Sequence, residues 1–489
     1  MNTYANKIRR SLVVCGCLIA FWCRFAECLT VSQAATGMSL TVQPTGEYSI
    51  STATPAWTFG GNLSKTLSDV APVNGTDNLG KFTGISFSLT GTGPLQGTIR
   101  LYEKQAVAMF SMKTMASMAT LGVTFPNLTE YPKTGMYCMG QKNRKFSDPT
   151  FVLSEIGDNS PLVSFNAQGE TFIYSAADHF WEVSNAYSGA LRSSIKSWAT
   201  PLPAGWDHQV ILAAGKGINR VFDTWGAGLR GYYGKPLPSN EAEVPLKYLG
   251  FWTDNFAYYY YKVDAQFANY EEQLIAVRDY YKNTVKVPLG YMMLDSWWYK
   301  KGCSQKWTDF VGIYTYQASP EVFPGGLDGF HKKMGMPLVT HHRWYEASCS
   351  PIAKKYGLSG GLPVKYDAWK EIVYGVGDSG VVTFEQDWLD ANARVGQHIG
   401  DFDSAMGNMA RTCAEKKMTV QYCMAPPMNY MQAMKYPNVT TMRTTDDGYT
   451  QSRWTYHILN SRFCWSAGMF PWVDCFKSSD RGSVISAVV

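Results

Sequence analysis

The sequence predicts an N-terminal β-sandwich followed by a (β/α)8-type barrel that stops before its eighth strand. Three observations predict it. Residues 36 to about 240 carry short, often alternating segments separated by Gly, Pro, Asn or Ser. From about 246, strand-like runs alternate with amphipathic stretches. In that second half, three aspartate-bearing segments each follow a short apolar or β-branched run: Leu294-Asp295-Ser296-Trp297, Phe384-Glu385-Gln386-Asp387 and Arg443-Thr444-Thr445-Asp446-Asp447. A carboxylate at the C-terminal end of a buried strand is where such a barrel keeps its chemistry.

Composition narrows the class. The chain of 489 residues has room for two or three domains, and its 45% apolar content supports a large core. Aromatic content is high at 14%, with 16 Trp and 30 Tyr. Core packing absorbs most of these rings, and the excess suits sugar binding, because a pyranose presents an apolar C–H face that stacks on Trp or Tyr. The net charge of +5 is spread without a basic block, so no nucleic-acid footprint is read.

Residues 1–35 read as a secretory leader. Lys7, Arg9 and Arg10 precede an apolar run from Ser11 to Trp22, too short to span a bilayer. A cut between Ala26 and Ala35 gives a secreted product with no stable membrane insertion; an uncleaved anchor is the alternative. Sequons at Asn62, Asn74, Asn127 and Asn438 agree with a secretory glycoprotein. Outside the leader the cysteines are Cys138, Cys303, Cys349, Cys413, Cys423, Cys464 and Cys475, an odd number without a C-x-x-C pair, which argues against zinc or a redox dithiol. Cys303 and Cys349 each follow a candidate strand end, and the sequence leaves their pairing open.

The β-sandwich is expected over 36–240, with strands such as Ser39–Val42, Gly84–Leu89 and Thr171–Tyr174. Lys216 to Tyr233 carries Ile218, Val221, Phe222, Trp225 and Leu229 at helical spacing. Gly234-Lys235-Pro236-Leu237-Pro238 then ends the helix and reads as a linker. The barrel is expected over 246–489, with a helix over Tyr270–Lys282 and seven strands ending near Trp252, Asp295, His341, Asp387, Cys423, Asp446 and Trp465. The apolar end Ser483–Val489 reads as an element cut short.

At these segments the sequence resembles the glycoside hydrolase clan of α-galactosidases, and within it the raffinose synthase and seed-imbibition-protein branch. Gly250-Phe251-Trp252-Thr253-Asp254-Asn255 is similar to that branch's first-strand Gly-Trp-Cys-Thr-Trp-Asp. Leu294-Asp295-Ser296-Trp297 is similar to its Asp-Asp-Gly-Trp, whose aspartates hold sugar hydroxyls. Phe384-Glu385-Gln386-Asp387 stands where the family has Lys-x-Asp, and Arg443-Thr444-Thr445-Asp446-Asp447 is similar to its Arg-x-Ser-Asp-Asp. Phe470-Pro471-Trp472-Val473-Asp474-Cys475-Phe476 is similar to its seventh-strand Pro-Asp-Trp-Asp-Met-Phe. Two departures stand out. Ser296 replaces the second aspartate of the sugar clamp, and Glu385 replaces a lysine, adding negative charge expected to raise the pKa of a nearby Asp387.

The resemblance implies a retaining α-glycosidase or transglycosidase acting on α-galactosides. Asp387 would be the nucleophile and Asp446 the general acid/base, with Asp447 its rival. Asp295 and Arg443 would bind sugar hydroxyls, Arg443 alternatively orienting Asp446. Trp252, Trp297, Trp344 and Trp465 would supply stacking walls. His341-His342-Arg343 is not read as a metal site, because adjacent strand residues point to opposite faces; no metal or cofactor is expected. The reading from another class is a non-catalytic carbohydrate-binding protein or an inactive truncated product.

Overall fold

Period-two alternation builds two antiparallel sheets in the N-terminal half. The computed structural model describes residues 28–89, 93–142, 144–146, 159–255, 259–447 and 454–473, with side chains of the last segment from 457. The apolar leader run, Asp474-Cys475-Phe476 and Ser483–Val489 lie outside the described residues. One sheet has seven strands in the order Leu29–Gln33, Met38–Val42, Glu47–Thr52, Trp57–Asn62, Asn127–Glu130, Leu191–Ile195 and Val183–Ala186. The other has eight, from Met136–Met139 through Leu162–Asn166, Glu170–Ala176, Asp207–Lys216, Val107–Thr114, Leu95–Tyr102 and Gly80–Leu89 to Leu67–Asp77. Alternate residues of both sheets, among them Leu40, Ile50, Phe59, Ile99, Phe110 and Leu212, form one buried cluster.

The first sheet begins earlier than expected. Leu29–Gln33 pairs with Met38–Val42 from Leu29↔Val42 to Gln33↔Met38, so part of the stretch assigned to the leader is a hydrogen-bonded strand. The Asn438 sequon is also engaged, since its side-chain nitrogen donates to the carbonyls of Ala410 and Met418 at 2.8 and 3.3 Å. A glycan there would displace both bonds.

The helix expected after the sheets spans Ile218–Tyr233, and Gly234 closes it in the left-handed region at φ 72°. Its buried face carries Val221, Phe222, Trp225 and Leu229. Trp225 donates to Ser175 of the eight-stranded sheet at 3.0 Å and packs its ring on Phe463 of the second half. The segment read as a linker is anchored instead: Lys235 is buried and donates to the carbonyls of Ala433 and Val439 at 3.0 and 2.7 Å. These carbonyls give the ammonium partners that a flexible linker would lack.

The second half is a seven-stranded parallel sheet, ordered as in the chain, with helices in the connections: an open part of a (β/α)8 barrel. Its strands are Gly250–Trp252, Tyr291–Leu294, Leu338–His342, Val381–Gln386, Thr419–Tyr422, Val439–Arg443 and Phe470–Trp472. Gly250 is needed at its position because a Cβ there would lie 2.1 Å from the Tyr291 ring. The expected helix over Tyr270–Lys282 forms as Tyr270–Tyr280, with Asn269 capping it by accepting from the Glu272 amide, and continues as a wider turn over Tyr281–Val285.

The seventh strand is a correction. Trp465, expected at its end, lies in the helix Trp454–Ser466, and the strand is Phe470–Trp472. Buried Asn460, Phe463, Cys464 and Ala467 recur at a spacing of three or four, the period of a helix and not of a strand. Among the described helices, none is long and apolar enough to cross a membrane. Cys303 and Cys349 form a disulfide with Cα atoms 5.6 Å apart, fastening the loop after the second strand to the loop after the third.

Candidate active site

Six of the seven strands end within three residues of the positions expected, so their loops gather at one mouth. Asp387 directly follows Gln386, the last residue of the fourth strand. It is buried, and His341 of the third strand lies against it with Nε2 3.1 Å from Oδ2. Oδ1 accepts from the Trp388 amide at 2.6 Å, and Trp388 takes a φ of 62°, which bends the chain sharply after Asp387. Burial pushes the carboxyl up, but His341, Arg443 and the Cys423 thiol outweigh it and hold it well below the usual carboxylate range. The expected upward push from Glu385 is therefore not the outcome. Glu385 is buried one step deeper in the strand, where Gln421 donates to its Oε1 at 3.1 Å.

His341 is oriented in turn. Its Nδ1 lies 3.0 Å from the Tyr299 hydroxyl, and Arg343 Nε donates to that same oxygen at 3.1 Å. With its oxygen accepting from Arg343, Tyr299 directs its own hydrogen to Nδ1. The remaining imidazole hydrogen then sits on Nε2 and is donated to Asp387. His342 points to the opposite face, between Gln386 and Tyr345, as strand alternation requires.

Beyond Tyr299 the network continues to the second-strand loop. Arg343 also donates to the Tyr261 hydroxyl at 2.9 Å, and buried Lys301 donates to it at 2.7 Å and to the Ser296 carbonyl at 2.6 Å. Burial and the Arg343 charge push the Lys301 amine down to about 6. Asp295 is buried and accepts from the amide and hydroxyl of Ser296 at 2.5 and 2.7 Å. The serine at the position expected to carry a second aspartate thus holds the first in place.

The sixth-strand carboxylates divide. Arg443 is buried and pairs with Asp447 at 2.5 Å, and Asn255 of the first-strand loop donates to the other Asp447 oxygen at 3.0 Å. Asp446 faces the β half, where Arg144 and Lys145 each approach it to 3.3 Å. Arg144 also pairs with Asp390 at 2.8 Å. Burial, opposed by Arg144 and reinforced by Asp387, raises the Asp390 carboxyl above its usual range.

The tryptophans part company. Trp252 stands at the first-strand end, donates to the Tyr291 hydroxyl at 2.8 Å and meets the Trp472 ring at 5.1 Å. Trp344 is half-buried beside Trp388, with ring centroids 4.9 Å apart. Trp297 is no wall: it is fully buried, one face stacked on Tyr270 at 3.9 Å. Trp465 is no wall either, being helical and packed on Phe470.

His341, Tyr299, Arg144 and Asp390 were missed as site residues. Only His341 carried a signal, at the end of a β-branched run like the aspartates. Asp178, His179 and Asp403 form a separate cluster with ligand-type spacing. The Lys435 ammonium already sits there, 2.5 Å from Asp178 and 2.9 Å from Asp403.

No family model matches the sequence, and no curated protein matches it. Solved structures match in fold. The ligand-free α-N-acetylgalactosaminidase NagBb from Bifidobacterium bifidum aligns over 85% of this chain and 79% of its own, with a TM-score of 0.51 and 10% identity. A β-arabinopyranosidase aligns over 85% of this chain and 69% of its own, with a TM-score of 0.52 and 11% identity. What the chain shares with these two glycosidases is the fold.

Proposed function

We propose that this protein is a retaining α-glycosidase or transglycosidase acting on α-galactosides, with Asp387 as nucleophile. One observation carries the reading: a buried carboxylate, kept as the anion by His341 and Arg443, stands at the C-terminal end of the fourth parallel strand, with further carboxylates after the sixth. A nucleophile must be ionised to attack. The fold shared with an α-N-acetylgalactosaminidase and a β-arabinopyranosidase supports sugar chemistry at this mouth. The choice of α-galactosides, and of the raffinose synthase branch, rests on the motif resemblance.

In the first step an Asp387 oxygen attacks the anomeric carbon. The glycosidic C–O bond breaks, and the leaving oxygen takes a proton from Asp446. In the second step water, or a sugar hydroxyl in transfer, gives its proton to Asp446 while its oxygen attacks the same carbon, releasing Asp387. Asp447, paired with Arg443, is the rival for the proton role. Asp295 and Trp252 would contact the sugar. Secretion is part of the proposal, supported by the basic and apolar N-terminal pattern and by a disulfide, which persists in oxidising compartments.

A screen with aryl α-galactoside, aryl α-glucoside and raffinose-type substrates tests this. Turnover of the α-galactoside with retained configuration is expected, read by NMR of the first-formed anomer. A second reading, a non-catalytic carbohydrate-binding protein, is favoured by the ion pairing of Asp446 with Arg144 and Lys145, since an ion-paired carboxylate is a poor proton donor. Binding of galactosides without turnover of any substrate would replace the first reading with the second.

A further inference from the structure

One short hairpin of the β half reaches the loops after the fourth and sixth barrel strands. Gln141–Lys142 pairs with Lys145–Phe146, and the pair belongs to neither large sheet. Its backbone is fastened to the barrel by Asn460, a fully buried polar side chain on the helix before the seventh strand. Asn460 Oδ1 accepts from Gln141 Nε2 at 3.2 Å and from the Phe146 amide at 3.0 Å. Its Nδ2 donates to the carbonyls of Arg144 and Thr444, each at 2.9 Å. One amide thus joins the hairpin to the chain two residues before Asp446. Phe146 completes the seat by packing on Phe222 and Phe463.

So anchored, the hairpin directs Arg144 between two loops. Its Nε lies 2.8 Å from Asp390 Oδ2 and its Nη2 3.3 Å from Asp446 Oδ1. Asp390 lies three residues after Asp387, on the bend that Trp388 makes. A planar guanidinium with separate donors can hold two carboxylates at a fixed spacing, whereas an ammonium is a single point charge. The other Asp390 oxygen is buried without a hydrogen bond, so Arg144 is what satisfies that side chain.

We propose that Arg144 is a positioning residue of the active site, contributed by the β half, which clamps the loop after the fourth barrel strand to the loop after the sixth and fixes Asp446 relative to Asp387. The proposal rests on the glycosidase reading above. It makes the β half part of the catalytic unit and ties proton transfer to a residue outside the barrel. Among the described residues, Arg144 and Lys145 on the hairpin pair with Asp446, Asp390 shares Arg144 with it and interacts with Asp387, and Arg443, Asp447 and His457, which bonds to Thr444, stand on its own side. Removing Arg144 takes away one cation that favours the ionised form of the proton-transferring carboxylate.

The test compares full-length parent, Arg144→Ala, Arg144→Lys, Asp390→Asn and the exposed hairpin control Lys142→Ala. Two readouts are used: kinetics on a natural α-galactoside across pH, and hydrogen exchange of peptides covering 387–393 and 443–447. For Arg144→Ala, kcat falls roughly 10- to 100-fold with KM little changed, the scale of loss for misplaced groups. The alkaline limb of its profile moves to higher pH, and both peptides exchange faster. Arg144→Lys recovers only part of the rate, Asp390→Asn loosens the same two peptides, and Lys142→Ala matches the parent. Unchanged exchange in Arg144→Ala overturns the clamp. Faster exchange with parental kcat and pH profile overturns its catalytic role. A parent that turns over no substrate sinks the glycosidase reading and the catalytic role with it, and exchange alone then decides whether Arg144 holds the loops.

Discussion

His341 of the third barrel strand donates from Nε2 to Oδ2 of Asp387, just beyond the fourth, across 3.1 Å. Each of the two buried side chains is held by a separate supporting group, Tyr299 behind the histidine and the Trp388 amide beside the aspartate. A carboxylate stabilised this way is ionised across the neutral range, which suits attack on carbon and unsuits proton donation.

Replacing His341 by Ala is therefore expected to lower kcat/KM on α-galactosides by about 10²-fold, with the acid limb of the profile moving to higher pH. The Asp387 carboxyl is held low in the folded protein. Its contribution to stability is present above the unfolded carboxylate value of about 4 and is lost as pH falls below that. The parent's advantage in stability over the variant should accordingly shrink in acid. An acid limb at the same pH in both proteins would show that His341 does not govern Asp387.

Asp387→Asn and Asp446→Asn should fail differently. An amide keeps nearly the shape of a carboxylate but cannot attack, so Asp387→Asn is expected to lose at least ~10³-fold in kcat while still binding galactosides. Asp446→Asn should lose turnover of natural glycosides, yet keep the first step on aryl substrates whose leaving groups need little protonation. Azide, which needs no base, should then speed the second step. Parental rates in both variants on natural substrates would show the site to be wrongly assigned.

How much of this was legible in sequence follows from where each signal resides. Strand ends were readable because apolar or β-branched runs such as Gly380-Val381-Val382-Thr383 end in polar residues, a local pattern. At Trp465 the same local pattern points to a strand end, whereas buried Asn460, Phe463, Cys464 and Ala467 repeat with helical period. Trp297 looked like a wall because nothing local reveals that Tyr270 covers its face. Arg144 was invisible for a stronger reason. Its role depends on Asn460, 316 residues away, bringing the hairpin to Thr444. The sign of the Asp387 shift is not legible locally, because Glu385 is two residues away in sequence while His341 and Arg443 come near only in space.

The two halves are also joined by Lys435, which pairs with Asp178 of the β half and Asp403 of the barrel. Burial opposes the charge on Lys435, but the two aspartates raise its pKa above the ordinary lysine value; burial also opposes the charge on Asp178, and Lys435 lowers it. The tie is therefore present above the unfolded Asp value near ~4, is lost as pH falls below it, and is fully present on the other side up to the unfolded Lys value of about 10.4. Lys435→Met leaves two half-buried carboxylates without their cation and should cost about 2 kcal/mol at neutral pH, between the scales of a surface and a buried pair. Urea unfolding measures it. A cost below roughly 1 kcal/mol, the range of surface pairs, would show that the tie is solvated.

Lys301 makes the opposite prediction for pH. Burial and Arg343 push its amine down to about 6 in the folded protein, while in the unfolded chain it titrates near ~10.4. Between these values the unfolded state binds more protons, so folding is favoured progressively as pH rises from about 6. Lys301→Met removes that titration and takes one donor from the Tyr261 hydroxyl, which Arg343 still serves, and one from the Ser296 carbonyl, which Tyr261 still serves. The stability of the parent relative to the variant should therefore increase between pH 6 and pH 9, by up to about 1.4 kcal/mol per pH unit. Below about pH 6 the amine is protonated in both states and the difference levels off. Urea unfolding of both proteins across that range is the measurement. A difference that stays constant with pH would mean that the ammonium is retained in the fold, opposed by the Asp295 carboxylate.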